Sequence, residues 1–369
     1  MLGGFIVIIG FIAILMIHEG GHLIAAKSLG MKATKYFLGF GPTIWSFQRG
    51  ETEYGIKAIP AGGYVRIIGM NLLEDVPPED ESRTYRIKPF WQKSVVVMAG
   101  IATHFVLAFM LLWIANVVIG ENKPNLTIAQ IIPSSDNGSP TAASLAGIET
   151  GDSVIAVNGM SIDTWNDLAS VLRNNPNQDI QLDVLRDGKL VELKATLTAR
   201  IDPNTGKELG FLGVSPQIGK SRDNPIRGIA RAARDVVLFT KLSVIGIWEF
   251  VTNFGNFIGA VLGNNDVLDE VRPVSIIGIT QFGAASQRAG LNVTLGLIAY
   301  ISVFVAVVNT IPIYPFDGGH LAVALYEKMT GRQPDIRKLM PIGAVVFFLI
   351  LMVGLLGVYF DIVRPLDLG

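Results

Sequence analysis

Four stretches of this 369-residue chain, roughly 5–29, 94–119, 291–314 and 341–360, are apolar over the length of about 20 residues that a helix needs to cross a bilayer. No other feature restricts the fold as strongly. In hydrocarbon every backbone amide must be paired within its own segment, so each stretch has to be helical. The composition agrees: half the residues are hydrophobic, only 17% are charged and the mean hydropathy is +0.45, which is too apolar for an ordinary soluble protein. The first stretch lacks a basic flank, and a histidine pair stands where a small-residue cleavage site would be, so it is expected to be a retained span. A net charge of −1 without a basic tail gives no reason to expect nucleic acid as a partner. The absence of cysteine excludes a disulfide framework and thiolate chemistry.

Between the first two spans lie ten Lys/Arg, counted from Lys27 to Lys93, which makes this loop cytoplasmic by the positive-inside rule. Within it, "FLGFGPTIWSFQRGETEYGIKAIPAGGYVRIIGM" alternates apolar residues between Gly/Pro breaks, the pattern of short β-hairpins lying at the membrane face. From about 126 to 216 the composition turns soluble, and Asn-Gly and Asp187-Gly188 mark tight turns in a small mixed α+β module. The segment 235–262 is apolar enough to suggest a fifth span. Lys241, Glu249 and the Asn-Phe-Gly-Asn break favour helices lying against the membrane instead.

Inside the first span the sequence "MIHEGGHLIAAKSLG" carries two imidazoles and a carboxylate, groups that are costly in hydrocarbon and mark a functional site by default. His18 and His22 are four apart and share one helix face, while Glu19 projects beside them. His-Glu-x-x-His on a helix is the pattern of two zinc ligands with a general base. A catalytic zinc needs a third protein ligand and an open position. The candidate is Asp317 in "NTIPIYPFDGGHL", at the end of the third span, and His320 three residues on is an alternative. His18 lies about 20 Å along its span at about 1.5 Å per residue, nearer the cytoplasmic face. With four spans, the first and third run in the same direction and Asp317 arrives at that face too. A true span at 235–262 would deliver it to the opposite side.

HEGGH, the Gly-Phe-Gly-Pro and Gly-Gly-Tyr-Val hairpins, and Asn-x-x-Pro-x-x-Pro-Phe-Asp-Gly-Gly, occurring in this order around one inserted module, resemble the site-2 protease family of intramembrane metalloproteases, regulator-of-sigma protease type. The module itself resembles a PDZ domain in the permuted form of bacterial proteases. The resemblance implies a membrane α-helical fold of about four spans with membrane-associated β-hairpins and an inserted α+β PDZ domain. It divides the chain into a first span (1–30), a cytoplasmic hairpin loop (31–93), a second span (94–120), an extracytoplasmic PDZ domain (126–216), interfacial helices and linker (217–289), a third span with the Asn/Asp motif (290–320) and a fourth span (341–360). It implies a zinc metalloendopeptidase of the inner membrane in which His18, His22 and Asp317 bind Zn2+, Glu19 is the catalytic base and Asn309 contacts substrate. Implied partners are the bilayer, a peptide ligand of the PDZ domain, and a transmembrane substrate such as an anti-sigma factor or a remnant signal peptide. The PDZ domain would act as a filter for pre-trimmed substrates.

Two positions read differently. The family usually has Ala-Gly-Pro followed by an Asn where this chain has Ile101 and His104, and His104 is expected to be an interhelical hydrogen-bonder. Asn309 could also merely bond a neighbouring helix, although Pro312 and Pro315 behind it free backbone that a substrate strand could use. The rival functions are a membrane metal transporter, which would place more polar residues along the spans, and a non-catalytic PDZ scaffold, which would tolerate loss of Glu19.

Overall fold

Helix α1 (Leu2–Ser28) opens the chain and keeps the histidine pair on its inward face. In this computed structural model, which describes residues 2–71, 74–133, 140–202, 205–261 and 273–363, α1 is followed by two long strands, β1 (Ala33–Arg49) and β2 (Thr52–Ile67). Each strand bends in its middle. Residues 35–38 are thereby paired with 53–56 on one side and 63–66 on the other, and the outer half of β1 pairs back along 52–57. The result is a small meander of hairpins whose outer part exposes Ile44, Trp45, Phe47 and Ile59, an apolar rim suited to a lipid surface. Helix α2 (Phe90–Ile114) starts behind Pro89, which stands at its N-cap with extended backbone, and runs on into a π-helical turn, Ala115–Ile119.

Residues Gly120–Arg222 form a compact unit of their own. Strand β3 (Glu121–Ile131) is followed by a short helix α3 (Ala142–Leu145), β4 (Ser153–Val157), β5 (Met160–Ser161), helix α4 (Trp165–Arg173), and β6 (Asp179–Arg186) and β7 (Lys189–Thr196). A small hairpin, β8 (Thr198–Ile201) and β9 (Glu208–Phe211), precedes β10 (Val214–Ser221). The main sheet has the order β10-β3-β4-β6-β7, with β5 beside β4. Asp187 and Gly188 both take positive φ, +49° and +77°, as the two-residue turn joining β6 and β7 demands. Helix α4 begins in a capping box, Thr164 with Asp167. Leu168 and Leu172 on its inner face join Val154, Val157, Leu182 and Val184 of the sheet in one apolar core.

Helix α5 (Pro225–Thr252) returns to the helical unit, capped by the Asn224 side chain. Its inner stripe, Ala232 with Val236 and Phe239, packs on Ala108 and Leu112 of α2, while Val237, Trp248 and Val251 stay exposed. Helices α6 (Phe254–Val261), α7 (Ile276–Ala289), α8 (Leu291–Asn309), α9 (Asp317–Thr330) and α10 (Ile336–Val363) complete the unit. Residues 262–272 of the expected linker, and 134–139 and 203–204 of the expected PDZ module, lie outside the described residues. Among the described residues four helices are long and apolar enough to cross a membrane: α1, α2 with its π turn, α8 and α10. The architecture fits a membrane protein with an inserted α+β module.

One boundary differs from expectation. The third apolar helix ends at Asn309, and Asp317 begins the separate helix α9 rather than closing a span. Pro312 and Pro315 lack the amide hydrogens needed to carry α8 onward, so the chain turns through 310–316 and starts again.

Candidate metal centre

The i, i+4 spacing on α1 sets His18 above His22, and the start of α9 brings Asp317 to both. His18 Nε2 and His22 Nε2 each lie 3.1 Å from Asp317 Oδ2, and 3.2 Å from one another. The two rings are 6% and 4% exposed. Three electron-pair donors on a triangle of this size match one face of a tetrahedral ion, whose ligand atoms stand about 3.3 Å apart when the bonds are about 2.0–2.1 Å. Two imidazole lone pairs facing each other and one carboxylate oxygen form a poor hydrogen-bond set and a good zinc set, so the residues present fit the ion.

Neighbouring elements hold the triangle in place. His22 Nδ1 donates to the Val96 carbonyl of α2 at 2.8 Å, which leaves Nε2 as the bare donor facing Asp317. Gly100 on the same helix makes room for this ring: a Cβ at position 100 would stand 2.3 Å from His22 Nε2. Asp317 is set by packing within its own neighbourhood. A Cβ on Gly318 would meet the carbonyls of Thr310 and Ile311 at 2.4 Å. A Cβ on Gly319 would meet Tyr314 N at 2.7 Å. The two glycines therefore fold α9 back onto the 310–316 turn. Further along α9, Glu327 pairs with the buried Lys93 of α2 and fixes the far end of the helix.

Glu19 follows His18 on α1 and reaches the inner hairpin, where its Oε2 accepts from Val65 N–H at 2.9 Å. His320 does not join the triangle. Its ring stands edge-on to Tyr314 with centroids 4.8 Å apart, and Nδ1 lies 3.4 Å from the Tyr314 hydroxyl. Asn309 is half-buried at the last position of α8 and is not one of the three gathered side chains. A cleft of about 670 Å³ is lined by Tyr64, Val65, Arg66 and Ile67 of β2 together with Tyr314 and His320. Sequence reasoning missed Val65, Val96 and Gly100. Two of these act through backbone groups and the third through a missing side chain, none of which leaves a motif.

The model of peptidase family M50 matches residues 6–353. The chain belongs to this family, the site-2 proteases. Among the M50 peptidases, zinc metalloprotease Rip1 of Mycolicibacterium smegmatis is 32% identical over 100% of both chains. Zinc metalloprotease Rip1 of Mycobacterium tuberculosis is 31% identical over 95% of each. A solved PDZ domain, that of the SdrC-like protein of Listeria monocytogenes, overlays 25% of this chain and 87% of its own at 13% identity, with a TM-score of 0.20. At that score it carries no argument.

Proposed function

We propose that His18, His22 and Asp317 hold the zinc ion of this membrane-embedded metalloprotease and that Glu19 is its general base. The observation that carries the assignment is the triangle of donor atoms with sides of 3.1 to 3.2 Å. Zinc in that position supplies Lewis acidity, polarising a scissile carbonyl and acidifying water. Glu19 takes a proton from the attacking water and returns it to the leaving amide nitrogen, and the Val65 N–H keeps its carboxylate aimed while it does so.

The substrate is a single-span membrane protein whose helix unwinds near the cleavage point, because each amide of an intact helix is already paired. The unwound chain adds as a strand beside 63–66, which faces the cleft and lies next to the base. Asn309 contacts it near the scissile bond. Anti-sigma factors and remnant signal peptides are the substrate classes in view. The Lys/Arg content of 27–93 supports a cytoplasmic position for this end of the site and an extracytoplasmic one for the 120–222 unit, where the PDZ-type module binds peptide and screens substrates.

Glu19→Gln is the test. The purified variant should keep stoichiometric zinc, since all three ligands remain, and should cleave no substrate. In membranes carrying it, single-span proteins that the wild type removes should accumulate. Full cleavage by Glu19→Gln would overturn the mechanism.

A further inference from the structure

Each metal-facing histidine needs an outer partner. A neutral imidazole that offers Nε2 to a cation carries its hydrogen on Nδ1, and that donor must be accepted by something. His22 has the Val96 carbonyl for this purpose. His18 Nδ1 is buried without a hydrogen-bond partner. Beside it on α2 stands His104, 1% exposed, with its ring centroid 4.7 Å from that of His18 and the planes tilted by 31°.

The protonation of His104 follows from its other contact. Its Nδ1 lies 3.2 Å from Ser302 Oγ of α8. The Ser302 hydroxyl donates to the His104 carbonyl oxygen at 3.1 Å, and with its proton there Oγ accepts from the ring. In this arrangement Nδ1 of His104 carries the hydrogen and Nε2 is an acceptor. That Nε2 is buried and has no partner either. An unpartnered donor and an unpartnered acceptor sit on adjacent buried rings, and each is costly to leave uncompensated. The two rings are adjacent, so reorienting one of them would let donor meet acceptor.

We propose that His104 is the positioning residue of His18: its Nε2 accepts from His18 Nδ1–H, and the Ser302 hydroxyl, by fixing the His104 tautomer, secures His18 Nε2 for zinc. This rests on the zinc-site reading above. It gives a role to the histidine on α2 that faces α1. The chain Ser302–His104–His18 runs across α8, α2 and α1 and does for His18 what one backbone carbonyl does for His22.

Zinc affinity of the purified full chain, measured by competition with a chromogenic chelator, tests this. His104→Leu should weaken binding about 10- to 100-fold, the usual effect of removing an outer partner. His104→Gln, whose amide oxygen can accept at nearly the same place, should restore most of the loss. Ser302→Ala, which frees the His104 tautomer, should fall between wild type and His104→Leu. Wild-type affinity in His104→Leu overturns the proposal, and so does a His104→Gln protein as weak as His104→Leu, because packing alone would then explain the effect. Should His104→Leu not fold, Ser302→Ala with wild-type affinity overturns it by itself. A wild-type protein that holds no zinc would instead refute the metal site on which the proposal stands.

Discussion

The 120–222 unit and the helical unit both bury polar groups, but they satisfy them differently. Asp152, 1% exposed, receives two bonds from the Arg186 guanidinium at 2.8 and 2.7 Å and one from Glu149 N–H at 2.8 Å. Its charge is neutralised wholly by the protein. At His18, His22 and Asp317 the protein does the reverse, gathering three lone-pair donors side by side, the arrangement proposed above to hold zinc. A buried charge that its own unit completes contributes to folding, whereas a cluster left incomplete is an invitation to a ligand.

The largest effect on this contrast should come from Asp317→Ala. Removing the one anionic donor leaves two neutral imidazoles, and the variant should lose most bound zinc and all cleavage by metal analysis and assay. His320→Ala should retain stoichiometric zinc, because that ring is engaged with Tyr314. Zinc retained in the first and lost in the second would reverse the assignment of the third ligand. Gly100→Ala comes next. Its Cβ would intrude on the His22 ring, so zinc should bind about 10- to 100-fold more weakly in a chelator competition, comparable to the loss of an outer partner.

Arg186→Met should leave zinc content unchanged and act on the other unit alone. Stripping Arg186 leaves the Asp152 carboxylate buried without its cation, visible as faster amide hydrogen exchange across β4 and β6 with none added around α1. The acid response has the same origin. Arg186 holds the Asp152 carboxyl below the usual carboxylate range in spite of its burial. The stability it contributes is therefore complete above the ordinary value of about 3.9 and is lost as pH falls through the lower folded value. In Arg186→Met the wild-type advantage near neutral pH should be gone, and acid should remove correspondingly less.

Much of this was legible in the residues themselves. The helix period places His18, Glu19 and His22 together, apolar length marks the membrane helices, and Asp187-Gly188 announces its turn. Other features depend on contacts that no local pattern encodes. The prolines after Asn309 were visible, yet their consequence, a new helix starting at Asp317, follows from the packing of Gly318 and Gly319 on the 310–316 turn. Alternating residues in 33–67 indicated hairpins but not that 35–38 would be enclosed by two partners. The Val65 amide and the Val96 carbonyl carry no side-chain signature at all. His104 was conspicuous as a departure from the family pattern, but its partner Ser302 lies 198 residues away in the chain.

The chain leaves the helices after Ile119 and rejoins them at Asp223, and the Asp223 amide donates to the Asn116 carbonyl at 3.0 Å. Exit and re-entry thus share one doorway. Inside the inserted unit the two ends are zipped together, Ser221 opposite Glu121. An insertion whose ends meet makes little entropic demand on its host, since it closes a gap that is already closed. Such a cassette can be lengthened or exchanged while the helices on either side of it in the chain keep their register, so the two units are free to change at different rates.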